Sequence, residues 1–233
     1  MEASRCIRES LNSVATLRAE AAGSPPLASA LHDVKKTQAR RFTQTYADLL
    51  ASPTYVGCAT FFLQELYSER DYSARDAQFA KVASVIELSF PAPVITLALT
   101  LAQLHEVTEQ LDMAMARAWL QTSAAAPGQR YATSWATVGQ PEQRQWQLET
   151  VLGIGSELSR VTRKKGLRLM LKVMRRPAEL AGLGALQQFL ESGFDHFSTL
   201  THTPGATELF LATIQERESQ WLRSMFAPVS AGG

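Results

Sequence analysis

Sulfur is scarce in this chain. Its two cysteines, Cys6 and Cys58, lie far apart and without CxxC spacing, which excludes a disulfide framework and a thiolate zinc site and fits a reducing interior. Charge excess is nearly absent too. A formal net charge of +1 gives no global attraction to nucleic acid or membrane, so any such contact needs a local patch. Long hydrophobic runs are also missing. The most apolar stretch, Phe90 to Leu104, is interrupted by two prolines, two threonines and a glutamine, too short and too broken to span a bilayer. The first residues carry Glu2, Arg5, Arg8 and Glu9 where a secretory leader would be basic and then apolar, which makes the cytoplasm the expected compartment.

Signatures of catalysis are lacking as well. There is no G-x-S-x-G elbow and no G-x-x-x-x-G-K phosphate loop. Gly153-Ile154-Gly155 and Gly182-Leu183-Gly184 have neither the third glycine nor the preceding strand of a dinucleotide turn. No H-E-x-x-H and no paired Glu-x-x-His occurs, so no metal centre is expected. The expectation leans away from an enzyme. Glu106, Glu109 and Asp112 share one helix and read as a solvated face.

What is present is helical period. Hydrophobic residues make up 45% of the 233, enough for a folded core, and they recur at steps of three and four with no alternating strand pattern. The expected fold is all-α, an irregular bundle of about eight helices in a single domain. Residues 1–25 read as a polar, loosely held N-terminal helix, 26–226 as the helical domain, and 227–233 as a flexible tail. The best internal linker is 121–130, with its alanines, Pro127 and Gly128. One helix is expected over about 27–51. Ser73 and Asp76 read as a capping box opening the helix to Phe90. A long helix follows Pro93 to about Leu120, and Pro141 opens another to about Arg163. An amphipathic piece from Lys165 should stop at Pro177. Gly193 is expected to let a neighbouring backbone approach. Trp119, Trp135, Trp146 and Trp221 read as packing anchors.

The most specific stretch runs from Phe61 to Phe79, around a sharp corner between two helices. Tyr67, Arg70, Asp71, Arg75 and Asp76 there could form a polar pocket for a ligand or a partner's charged group. The plainer reading pairs Arg with Asp across the turn. This stretch carries a resemblance. Phe61-Phe62-Leu63, Leu66-Tyr67, Asp71-Tyr72-Ser73, Arg75-Asp76 and Gln78, with Gly182-Leu183-Gly184, Leu186-Gln187, Phe189-Leu190-Glu191 and Gly193-Phe194, resemble an uncharacterised family of bacterial all-helical proteins over about residues 42–218. Where relatives carry Gly-Pro after the tyrosine, this chain has Ser68-Glu69. The resemblance implies a helical fold and brings no activity with it.

A second candidate surface is basic. Arg163, Lys164, Lys165, Arg168, Lys172, Arg175 and Arg176 follow one another with no acidic residue between them, and helical spacing puts them on one side. Such a face suits an acidic protein or an anionic membrane surface. It holds no aromatic for base stacking, which argues against nucleic acid. The plainer reading is a solvated face on a helix whose apolar side is ordinary core. Among four scattered histidines, His105 on the long helix is the one candidate cofactor ligand, with haem the obvious group. The leading expectation is a non-enzymatic protein that acts by binding another protein. The rival is a small-molecule or haem-type binding protein, with a pocket between helices 54–67, 74–90 and 94–120.

Overall fold

The computed structural model describes residues 2–66, 70–123, 126–163 and 166–227. Among them there are helices and no strands: α1 (Glu2–Ala22), α2 (Pro25–Thr45), α3 (Ala47–Ala51), α4 (Val56–Leu66), α5 (Ser73–Ser89), α6 (Ala92–Gln121), α7 (Pro127–Val138), α8 (Pro141–Thr162), α9 (Leu167–Leu180), α10 (Gly184–Thr201) and α11 (Ala206–Phe226). The architecture is all-α in one domain, with eleven described helices rather than about eight. Part of the difference arises at Tyr46, where φ of −114° ends α2 and the chain restarts as α3. The fully buried Tyr46 ring sits in the core there, its hydroxyl donating to Glu218 Oε1 at 2.7 Å.

Proline sets many of the starts. α2, α6, α7 and α8 each carry proline in the first two helical positions, where a missing N–H costs nothing. Of the expected linker 121–130, Gln121 ends α6 and residues 127–130 open α7, residues 124 and 125 lie outside the described residues, and those two helices pack on each other. Residues 228–233 of the expected tail lie outside the described residues.

α6 is the axis, packed against α1, α2, α5, α7 and α8. One core cluster joins Phe42, Tyr46, Phe62, Phe197 and Phe210; another sets Met113, Met115 and Trp119 of α6 against Val34, Tyr131 and Trp135. α1 is docked, not loosely held. Its Ile7, Leu11 and Val14 are buried, two of them packed with Ala83, Ala98 and Ala102. Its polar composition hid this, because one narrow apolar stripe suffices.

Two other expectations change. Pro177 lies inside α9 instead of ending it. The stop is Gly182, at φ +73°, where the Leu183 amide bonds the Ala178 carbonyl at 2.7 Å and the Gly182 amide bonds Glu179 at 3.0 Å. That is a Schellman end, which needs the left-handed conformation glycine supplies. Gly193 makes room for a ring rather than a backbone. A Cβ there would stand 3.1 Å from Cζ of Phe61.

The two stretches that carry the family resemblance face each other across the α4–α5–α10 junction. Phe61 stacks on Phe189 at 5.8 Å, and Gln78 Oε1 accepts the Leu186 amide at 2.9 Å. No described helix is long and apolar enough to cross a membrane.

Candidate functional site

The polar residues of α6 recur at helical spacing. His105, Thr108, Glu109 and Asp112 fall on one face at i, i+3, i+4 and i+7. That face points inward. Glu109 is 5% and Asp112 6% exposed, so these two are not part of a solvated face. The reason is that α1 and α2 cover this side of α6, while its open side carries Gln103, Gln110 and Arg117.

Cations from other helices meet them. Lys35 of α2 donates to both Glu109 oxygens at 2.8 and 3.0 Å, and Gln38 Nε2 donates to Asp112 Oδ1 at 2.8 Å. Arg18 of α1 reaches Asp76 Oδ2 at 2.8 Å and Glu109 Oε1 at 3.4 Å. Asp76, in the first turn of α5, also lies 2.8 Å from His105 Nε2 and accepts from Arg75 Nε at 3.1 Å. Arg75 in turn donates to Glu65 Oε2 at 2.6 Å, with its guanidinium carbon 4.1 Å over Tyr72 and 4.8 Å over Phe189.

The network orders its own protonation. Burial works against an ionised Asp76, but the hydrogen bond from His105 and the charges of His105, Arg75 and Arg18 outweigh it and hold the carboxyl at about 2. Burial likewise opposes ionised Glu109, and Lys35 overcomes it, so its pKa falls. Asp112 goes the other way. Burial dominates there, and the neighbouring Glu109 adds to it against the pull of Lys35, so its pKa rises. Three cations (Arg18, Lys35, Arg75) are shared among four carboxylates (Glu65, Asp76, Glu109, Asp112), and Asp112, 3.9 Å from Lys35, is the one in surplus.

These groups, Arg18 excepted, line one end of a cavity of about 230 Å³. Its walls are otherwise apolar: Phe61 and Phe62 of α4, Phe79 of α5, Leu97, Leu101 and Leu104 of α6, with further walls from α8, α9 and α10. It is larger than the ~150 Å³ that accepts a benzene ring in an apolar core. The arrangement can hold an apolar body against a hydrogen-bonding end. Among the described residues, no three His, Cys, Asp or Glu side chains come together as a metal site.

Of the corner residues, Arg75 and Asp76 line this cavity, together with His105. Asp71 is turned to the start of α5, accepting the Ser73 amide at 2.9 Å and its hydroxyl. The capping pair is therefore Asp71 with Ser73, and Asp76 is free for the interior. Arg70 is exposed, and Tyr67 lies outside the described residues. Arg18, Lys35, Gln38, Glu65, Glu109 and Asp112 were not expected as site residues; the spacing of the polar residues on α6 serves a solvated face and an interior one alike, so it gave no signal.

The basic residues of α9 stand apart. Arg168, Lys172, Arg175 and Arg176 are exposed on one side of that helix; Arg168 pairs with Asp195 at 3.0 Å and Arg175 with Glu191. Arg163, just after α8, lies 3.8 Å from Glu208, and Lys164 and Lys165 are outside the described residues. The apolar side is not ordinary core. Leu169, Val173 and Leu180 are exposed at 66%, 65% and 84%, and Ala178 is the helix's one buried residue.

Fold and site together define an all-helical, single-domain protein with an apolar recess closed at one end by interior ion pairs. Within that class, the chain belongs to the family described as a domain of unknown function, DUF8198, which matches residues 17–231. No curated protein and no solved structure matches it.

Proposed function

We propose that this chain is a bacterial, cytoplasmic binding protein that takes up a small, mainly apolar molecule with one polar end. The observation that carries the reading is the cavity of about 230 Å³, apolar on most walls and lined at one end by Asp76, His105 and Glu109. Concave, largely apolar sites with a few convergent polar groups are how small ligands are held. A coordinated haem is less favoured, because His105 Nε2, 2.8 Å from Asp76 and 3.2 Å from Arg18, is already engaged. The test is titration with an apolar fluorescent probe such as N-phenyl-1-naphthylamine. Saturable binding is expected, weakened about tenfold by Val94→Phe/Leu101→Phe, a change that fills the recess while the thermal melt stays cooperative. Absence of saturable binding, or binding unaffected by filling, overturns the reading.

The expectation of a macromolecular partner rested on two surfaces. Arg75 and Asp76, two of the five residues of the first, are turned inward, which leaves α9. Its exposed Leu169, Val173 and Leu180 beside Arg168, Lys172 and Arg176 suit an anionic bilayer surface, into which the aliphatic stripe dips while the cations meet head groups. Lys172 and Arg176 make no ion pair with a described residue. Flotation on phosphatidylserine vesicles is expected, released by salt and by Val173→Asp. Failure to float, or equal binding to neutral phosphatidylcholine vesicles, removes this second reading.

A further inference from the structure

Behind the polar end of the large cavity lies a smaller one of about 80 Å³, bounded in part by Gln38, Asp112, Tyr131, Trp135, Arg144 and Gln147. The two cavities share Gln38, Thr108 and Asp112. Among the residues that line the inner one, Arg144 at Nη2 and Trp135 at Nε1 each carry a buried N–H with no acceptor among the described residues.

Arg144 is an unusual interior cation. It is 4% exposed, its Nε donates to the Gly139 carbonyl at 3.0 Å, and its guanidinium carbon stands 3.3 Å from the Trp135 ring centre. No described carboxylate pairs with it within 4.0 Å. Its partner cation at this cavity, Arg41, is different: it forks onto Glu218 at 2.8 and 2.9 Å. Burial brings the Arg144 pKa down to about 10, against the charges of Tyr131 and Asp112, so it is still a cation at neutral pH.

We infer that the inner pocket takes a carboxylate, held by Arg144 Nη2 and Trp135 Nε1. Both open groups are donors, so the occupant must accept. One belongs to a buried cation that no described carboxylate pairs with directly, so an anion is favoured over a neutral acceptor. The pocket is small, and a planar two-oxygen group can meet a guanidinium edge and an indole N–H together. Asp112 also lines it, and burial raises its pKa.

Two side-chain pairs involve the residues that both cavities share. Gln38 Nε2 donates to Asp112 Oδ1 at 2.8 Å, and Gln147 Nε2 donates to Thr108 Oγ1 at 2.7 Å. Both are amide side chains that can rotate. The carboxylate has two sources: a free small acid, or the head of a ligand whose apolar body fills the larger cavity. The second source deepens the reading given above and rests on it.

The experiment uses the full chain labelled with ¹⁵N, titrated separately with acetate, decanoate and decanol. The readouts are affinity and the Trp135 indole N–H resonance, assigned by Trp135→Phe. Decanoate is expected to bind about tenfold more tightly than decanol, the worth of one charge-assisted hydrogen bond, and to move that resonance. Acetate moving the resonance saturably while decanoate fails to bind supports the pocket with a free small acid as its source. Decanol and decanoate binding equally with the indole unmoved overturns the inference, marks a pocket that holds water, and leaves the large cavity's role standing. Binding of none of the three overturns both.

Discussion

His105 Nε2 lies 2.8 Å from Asp76 Oδ2, joining the middle of α6 to the first turn of α5. The same oxygen accepts from Arg18 of α1 at 2.8 Å, so one carboxylate ties three helices. Asp76 ionises at about 2 in the folded chain against 3.8 for the free group. The unfolded chain therefore takes up the proton first as pH falls. The stabilisation, roughly 2 kcal/mol by linkage, is complete above pH ~4 and lost as pH drops through ~2. Asp76→Asn should lose about that much at pH 7, and its stability curve should run closer to wild type as pH falls from 4 to 2. Urea unfolding of both proteins across that range measures the difference. A constant gap down to pH 2 would mean the carboxylate's charge is not what binds these helices.

Glu109 and Asp112, one turn apart on α6, should answer to amide substitution with opposite signs. Glu109 is held ionised by Lys35, so Glu109→Gln leaves a buried ammonium without its counter-charge and should cost about 3 kcal/mol. Asp112 has its pKa raised by burial, which means the folded chain carries an ionised Asp112 as a burden at neutral pH. Asp112→Asn keeps an oxygen for Gln38 and removes that burden, so stability at pH 7 should hold or rise by about 1 kcal/mol. The gain should shrink as pH falls and wild-type Asp112 takes up its proton. Denaturant midpoints at pH 7 and pH 5 decide it; a loss for Asp112→Asn as large as that for Glu109→Gln contradicts the assignment.

Much of the helical layout could be read from the chain, because proline starts and three-to-four spacing are local signals. Pro141 opening α8 and the long run of α6 are of that kind. Tertiary choices were not legible. At the break at Tyr46 a hydroxyl reaches Glu218, far along the sequence, a contact no local signal announces. Whether Glu109 faces water or Lys35 depends on what surrounds α6, since the same spacing serves either. Arg144 gave no warning: an arginine near a helix start is ordinary until Trp135 closes over it. The apolar stripe of α9 was visible as amphipathicity, yet only packing tells that Leu169 and Val173 stay outside.

Gly182 is the stop of α9, and its φ of +73° belongs to the left-handed region. Gly182→Ala puts a Cβ into that conformation at a cost of about 1 kcal/mol. The surroundings are open, with no atom within 4 Å of that Cβ, so the loss should be purely conformational. Gly182→Asn, which tolerates the same region better, should recover part of it. Thermal unfolding of the three proteins tests the ranking Gly, Asn, Ala. An alanine variant as stable as wild type would show that the α9–α10 turn has another way to close.

Gln78 is polar and half-buried, and it makes one long-range bond that helix propensity cannot explain: its Oε1 accepts the Leu186 amide at 2.9 Å. That amide is in the first turn of α10, where backbone donors have no partner within the helix. Gln78→Leu keeps the volume and strands the donor, which should cost about 1–2 kcal/mol. The damage should be local before it is global. Amide exchange at Leu186 should quicken about tenfold or more, while amides in the buried middle of α6 around Met113 and Met115 change only with overall stability. Gln78→Glu offers an equivalent acceptor and should restore slow exchange at Leu186. Fast exchange there in both variants would mean that α10 is started by something other than this side chain.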